Sequence, residues 1–206
     1  MLRLLGRNNS INVQKSLLCL DELGLEYERI DVGGPFKFDN DPDYPNKTPT
    51  KLVPTLEDGD FVAWESHTIV RYLCEQYGGE QWYPKDPKPR AIMSQWMDWV
   101  NCYLPQPHYA VFFSLTRLPP EEQNPENIEA GRKQWAKQFD IVDAQLAKTD
   151  YIAGAQFSMA DLILGPYIYR WKMLDIERPD HKNIDAYFER LKTRSVYQEH
   201  VMKPLS

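Results

Sequence analysis

Three prolines fall within seven residues at Tyr83-Pro84-Lys85-Asp86-Pro87-Lys88-Pro89. Such a run fixes φ, removes amide donors and predicts a linker that holds no helix. The patterns on its two sides differ. On the N-terminal side, Leu2–Leu5 is a short apolar strand candidate, and residues 13–23 carry a helical stripe that ends at Gly24. Residues 28–32 alternate as a strand. Residues 33–49 are rich in Gly, Pro, Asp and Asn and read as a loop with at most a short, poor helix. Residues 52–57 and 61–64 flank Asp58-Gly59, a two-residue hairpin signal, and residues 66–77 place Ile69, Val70, Leu73, Cys74 and Tyr77 on one helical face. A strand–helix–strand crossover followed by a hairpin and a helix predicts a small mixed sheet, the thioredoxin-like arrangement. On the C-terminal side residues 90–116, 126–148, 158–174 and 183–195 all read as helices, with no convincing strand. The expected fold class is therefore α/β followed by all-α: residues 1–79 thioredoxin-like, 80–89 linker, 90–206 helical.

Bulk properties narrow the function. Hydrophobic residues make up 42% of the 206, enough for a sizeable core. The net charge of −6, with no basic cluster, argues against a nucleic-acid binder. No apolar run suggests a signal peptide or a membrane span. Cys19, Cys74 and Cys102 are odd in number and far apart, which points to a reduced, cytoplasmic setting, with Cys74 and Cys102 read as buried, inert thiols. His67, His108, His181 and His200 show no metal-ligand spacing, so no metal site is expected.

Three places could carry chemistry. At Val53-Pro54 a proline opens a strand, where its missing amide is tolerated. If the bond is cis, the Val53 backbone is free to pair with an extended, peptide-like ligand; if trans, the proline merely ends a loop. At Glu65-Ser66, Ser66 is an N-cap candidate, and a helix N-terminus suits a carboxylate. Glu65 beside it suits an ammonium, so the pair can grip a zwitterion or simply cap the helix. The loop Gly6-Arg7-Asn8-Asn9-Ser10-Ile11-Asn12 holds the reactive position of a thioredoxin-like fold, yet it has neither cysteine nor tyrosine. Ser10 is its hydroxyl, with Asn9 and Asn12 as amide donors. A hydroxyl donating to a thiolate at a helix N-terminus lowers a thiol pKa; the same serine also caps the helix. Phe157-Ser158-Met159-Ala160-Asp161 reads as a capping box. The aromatic residues of the second half are core candidates, with Tyr103, Tyr109, Phe113 and Trp171 taken as candidate walls of an apolar pocket.

Taken together, "LVPTLEDGDFVAWESHTIVRYL", "SINVQKSLLCLDELGLEYERIDV" and "FSMADLILGPYIY" resemble the cytosolic glutathione transferases, nearest the bacterial members of the serine-type theta- and delta-like classes. The resemblance spans essentially the whole chain. It implies glutathione as co-substrate, no metal, a small electrophilic and mostly apolar second substrate, and a homodimer. It implies a cis Pro54, Val53 on the cysteinyl backbone of glutathione, Glu65 and Ser66 on its γ-glutamyl end, and Lys51 on its glycyl carboxylate. Ser10 falls on the catalytic hydroxyl, with Asn12 as the asparagine alternative; Gln14 stands where the family's usual arginine would. The rival readings are a non-catalytic glutathione- or partner-binding protein, or a glutathione-dependent dehalogenase, isomerase or peroxidase.

Overall fold

The computed structural model describes residues 1–205. The first half contains β1 (Leu2–Leu5), α1 (Ile11–Glu22), β2 (Tyr27–Ile30), α2 (Tyr44–Lys47), β3 (Thr55–Asp58), β4 (Phe61–Trp64) and α3 (Ser66–Tyr77). The four strands form one sheet in the order β2-β1-β3-β4. β1 and β2 run parallel, as the α1 crossover requires, and the β3/β4 hairpin is antiparallel around Asp58-Gly59. Alternation along β1 sorts its side chains: Leu2 and Leu4 face a large core with α1 and α3, while Leu5 faces a small cluster with Val32 and Tyr44. This is the thioredoxin-like arrangement.

The rest is helical: α4 (Gly79–Trp82), α5 (Pro87–Tyr103), α6 (Pro105–His108), α7 (Ser114–Arg117), α8 (Pro125–Leu146), α9 (Met159–Met173), α10 (Lys182–Lys192) and α11 (Ser195–His200). Phe139 packs edge to face on Trp135 and Trp171 at its centre, the two indoles tilted against each other, and one continuous apolar core runs from there to α1 and α3. Helix α9 is buried on all sides. Its start is fixed by Asp161, whose carboxylate accepts from the Ser158 amide at 2.9 Å, the Ile152 amide at 3.0 Å and the Tyr187 hydroxyl at 2.8 Å.

Two expectations need correction. Pro87 and Pro89 do not belong to a helix-free linker: they form the first turn of α5, where proline's missing amide costs nothing, behind Asp86, which accepts from the Lys88 amide at 2.9 Å. The segment read as one helix over 90–116 is broken after Tyr103, because Pro105 and Pro107 cannot donate into a continuing ladder; the chain restarts as α6, one π turn (Tyr109–Phe113) and α7.

Candidate active site

The bond between Val53 and Pro54 is cis. The sheet ladder begins only at Thr55, so Val53 stands outside it beside the start of α3. Glu65 precedes that helix with φ +71°, a left-handed backbone rare for a side chain of its size and met mostly at functional positions. It occupies the cap position, which makes Ser66 the first helical residue rather than the N-cap expected of it. Asn12, Thr50, Val53, Pro54, Glu65 and Ser66 line a single narrow cleft.

The N-terminus of α1 is the far wall of this cleft. Asn12 is exposed there, and its Oδ1 accepts from Lys15 Nζ at 3.0 Å and from Ser66 Oγ at 3.5 Å. With the carbonyl committed, its Nδ2 is left to donate into the cleft. Lys15 is 2% exposed, reaches His67 Nε2 at 3.1 Å and lies over the Tyr167 ring at 5.0 Å. Burial pulls its ammonium down to about 7, Arg170 pushes the same way, and Glu65 opposes them. Burial, with Lys15 and Arg71 adding, brings His67 down to about 2, so the imidazole is a neutral acceptor.

Ser10, two residues earlier, faces the other way. It has the extended backbone of an N-cap, but its hydroxyl makes no capping bond. It opens onto a second cavity of about 240 Å³ shared with Arg7, His108, Tyr109, Phe112, Phe113, Arg117 and Arg170. Arg170 is 6% exposed and donates to the Asn9 carbonyl and to His108 Nε2, each at 3.0 Å, while its guanidinium lies 3.9 Å from the Phe112 ring centre. The α1 N-terminus thus divides the narrow cleft from a cavity lined by arginine and aromatic side chains.

The two ends of the chain match the N-terminal and C-terminal domain models of glutathione S-transferase, over residues 4–81 and 125–190. The chain is 38% identical to glutathione S-transferase GstB of Escherichia coli K12, with both chains covered completely. It is 30% identical to glutathione S-transferase D6 of Drosophila melanogaster, covering 90% of this chain and 85% of that one. The theta class glutathione S-transferase of Xanthomonas axonopodis pv. citri with glutathione bound superposes with a TM-score of 0.95 at 39% identity, over 100% of this chain and 99% of that one.

The chain belongs to the glutathione S-transferase family.

Several residues read from the sequence as a glutathione S-transferase site do come together: Asn12, Val53, Pro54, Glu65 and Ser66 share the cleft, while Ser10, Tyr109 and Phe113 share the cavity. Others do not. Lys51 is exposed on the same loop with φ +55° and does not line the cleft. Tyr103 is 51% exposed and packs on Trp99, outside the cavity. Trp171, expected on the pocket wall, is 1% exposed among Trp135 and Phe139, because the inner face of α9 is the centre of the helical core. Cys102, expected to be buried, is exposed, since α5 turns it away from the core that holds Cys19 and Cys74. Sequence reasoning missed Lys15, His67, His108 and the three arginines. Lys15 carried a signal: it is a cation on the otherwise buried stripe of α1. The arginines carried none, being separated by more than fifty residues each.

Proposed function

We propose that the protein conjugates glutathione to a small electrophile. The observation that carries this reading is the shared cleft of Val53, Pro54, Glu65 and Asn12 at the N-terminus of α1. In it the backbone of Val53 pairs with the cysteinyl residue of glutathione, and Glu65 and Ser66 hold the γ-glutamyl end. The Glu65 carboxylate meets the ammonium, while the α3 N-terminus meets the carboxylate. The sulfur then lies at the α1 N-terminus between Asn12 on the cleft side and Ser10 on the cavity side.

A free thiol titrates near 8.5, and each unit of lowering needs ~1.4 kcal/mol of preference for the thiolate. The Asn12 amide, the Ser10 hydroxyl and the partial positive charge of the helix end supply that preference. The thiolate attacks an electrophile held in the adjoining cavity, so catalysis consists of orientation and charge stabilisation without a covalent enzyme intermediate. The division into a glutathione unit over 1–79 and a helical unit over 90–206 follows the same reading. So does a homodimer through the β4 side of the sheet, where Phe61 is 49% and Trp64 39% exposed. A reducing cytoplasm is the setting that three unbridged cysteines fit.

The test is the ultraviolet thiolate absorbance of bound glutathione, titrated against pH in the wild type, Asn12→Ala and Ser10→Ala. Each variant is expected to raise the thiol pKa and to lower kcat/KM near neutral pH, Asn12→Ala by about tenfold or more. An unchanged titration in both would refute this assignment of the sulfur's position. Failure of the wild type to bind immobilised glutathione would refute the function.

A further inference from the structure

Asn12 is the second residue of α1, Lys15 stands about one turn on, and His67 is the second residue of α3. Side chains on a helix lean towards its N-terminus, so Lys15 reaches back along α1, and its Nζ arrives where the starts of the two helices meet. There it lies 3.0 Å from Asn12 Oδ1 and 3.1 Å from His67 Nε2, 2% exposed and over the Tyr167 ring. Ser66 Oγ adds a longer contact of 3.5 Å to the same Asn12 oxygen. A planar amide has an acceptor at one end and donors at the other, and a half-turn about its last torsion exchanges them. An ammonium has donors only, and a neutral amine still has an N–H for each of its two neighbours. In both states Lys15 therefore selects the same end of the Asn12 amide, with Oδ1 inwards and Nδ2 towards the cleft. A cation kept in an interior costs stability, and groups held at such a cost gather at working sites.

We infer that Lys15 is a positioning residue: by holding Asn12 Oδ1 it keeps the Asn12 amide donor turned to the glutathione sulfur. The inference rests on the transferase reading above and deepens it by naming what sets the donor's orientation. A donor aligned before the thiolate forms has no reorientation to make as the charge develops. An amide that is not held spends part of its time with Oδ1 towards the sulfur, where the carbonyl dipole opposes the negative charge. Lys15 acts from the interior, behind Asn12. His67 is the second arm of the same device. It accepts from Lys15 at the start of α3, next to Glu65 and Ser66, so one side chain joins the two walls of the cleft.

The experiment pairs the ultraviolet titration of bound glutathione with the affinity for S-methylglutathione, which fills the cleft but has no thiol to ionise. Lys15→Met keeps the length and apolar packing of the stem and removes the donors. It is expected to raise the thiol pKa by about half a unit or more, which is about threefold in thiolate at a given pH, and to lower kcat/KM near neutral pH by a similar factor, with S-methylglutathione affinity held within about twofold. In an Asn12→Ala background the same substitution is expected to move the pKa by less than about 0.2 unit, because the group it positions is gone. Lys15→Arg, which retains a donor-only cation, is expected to restore most of the wild-type titration. Asn12→Asp, a change at an exposed position, leaves Lys15 its acceptor but removes the donor, and its thiol pKa is expected to rise at least as far as in Asn12→Ala. A wild-type titration in Lys15→Met or in Asn12→Asp overturns the inference. So does a shift of equal size with and without Asn12, since Lys15 would then act on the sulfur through its charge alone. A parallel fall in S-methylglutathione affinity overturns it as well, because the residue would then be maintaining the shape of the cleft. Wild-type protein that does not bind S-methylglutathione overturns the transferase reading instead.

Discussion

Lys15 is a cation placed where a protein rarely keeps one, with its Nζ held by Asn12 and His67 and its stem against Tyr167. The unfolded chain binds its proton up to the ordinary lysine value of 10.5, the folded chain only up to about 7. Between those values the unfolded state holds more protons, so this residue makes stability rise with pH, by up to ~1.4 kcal/mol per unit, and the gain is complete only above the unfolded value. Below about 7 both states are protonated and the buried charge costs most. Lys15→Met is expected to flatten that slope in urea melts at pH 6.5, 8 and 9.5; an unaltered slope would show that the ammonium titrates normally. The same variant frees Asn12 Oδ1, so the thiol pKa of bound glutathione should rise with it. At this scale the sequence was a good guide to which residues the fold gathers around the cleft. Val53-Pro54, Glu65-Ser66 and the cysteine-free loop before α1 announce themselves by residue type. Arg7, Arg117 and Arg170 do not, because what matters about them is a convergence that only tertiary packing creates.

Among the elements, capping chemistry was the most legible. Ser158 and Asp161 predicted the start of α9, and Asp161 does more than a cap: it is 1% exposed and also ties the Ile152 amide and the Tyr187 hydroxyl to that point. Asp161→Ala leaves those donors buried without an acceptor, at about 1–3 kcal/mol each, so a loss of about 3 kcal/mol or more is expected in chemical denaturation. Asp161→Asn, which retains an acceptor, is expected to lose less. Equal losses would mean that packing rather than hydrogen bonding dominates there. Proline was read less well. Pro87 and Pro89 look like breakers until their position is known, since the same ring that ends a helix is well suited to its first turn. Pro105 and Pro107 did break a helix, but a continuous apolar pattern across residues 90–116 concealed it. Periodicity reports which residues face the core and is indifferent to whether one helix or several bring them there.

For the whole molecule, the mixed sheet and the helical half followed from the order of periods along the chain, because a strand–helix–strand unit and a two-residue hairpin leave few topologies open. Assembly was not readable from that order. β4 is the outer strand of the sheet, and Phe61 on it packs against Tyr72 while remaining half exposed. Sedimentation equilibrium is expected to give twice the chain mass at micromolar concentration, and Phe61→Glu to shift the equilibrium towards the single chain. A wild-type protein that sediments as one chain at all concentrations would remove the dimer from the proposal.

Helix α1 presents Asn12 to one hollow and Ser10 to the other, and the two hollows draw their remaining walls from different stretches of chain. Thr50 to Ser66 belong to one; His108 to Arg117, with Arg170, belong chiefly to the other. On the proposed reading, in which the cavity takes the acceptor and the cleft the glutathione, the acceptor range can drift, or be redesigned, by exchanging a ten-residue segment and one distant side chain while the co-substrate's berth is inherited unchanged. A lineage built on this plan can sample new chemistries at little risk to the step they all share.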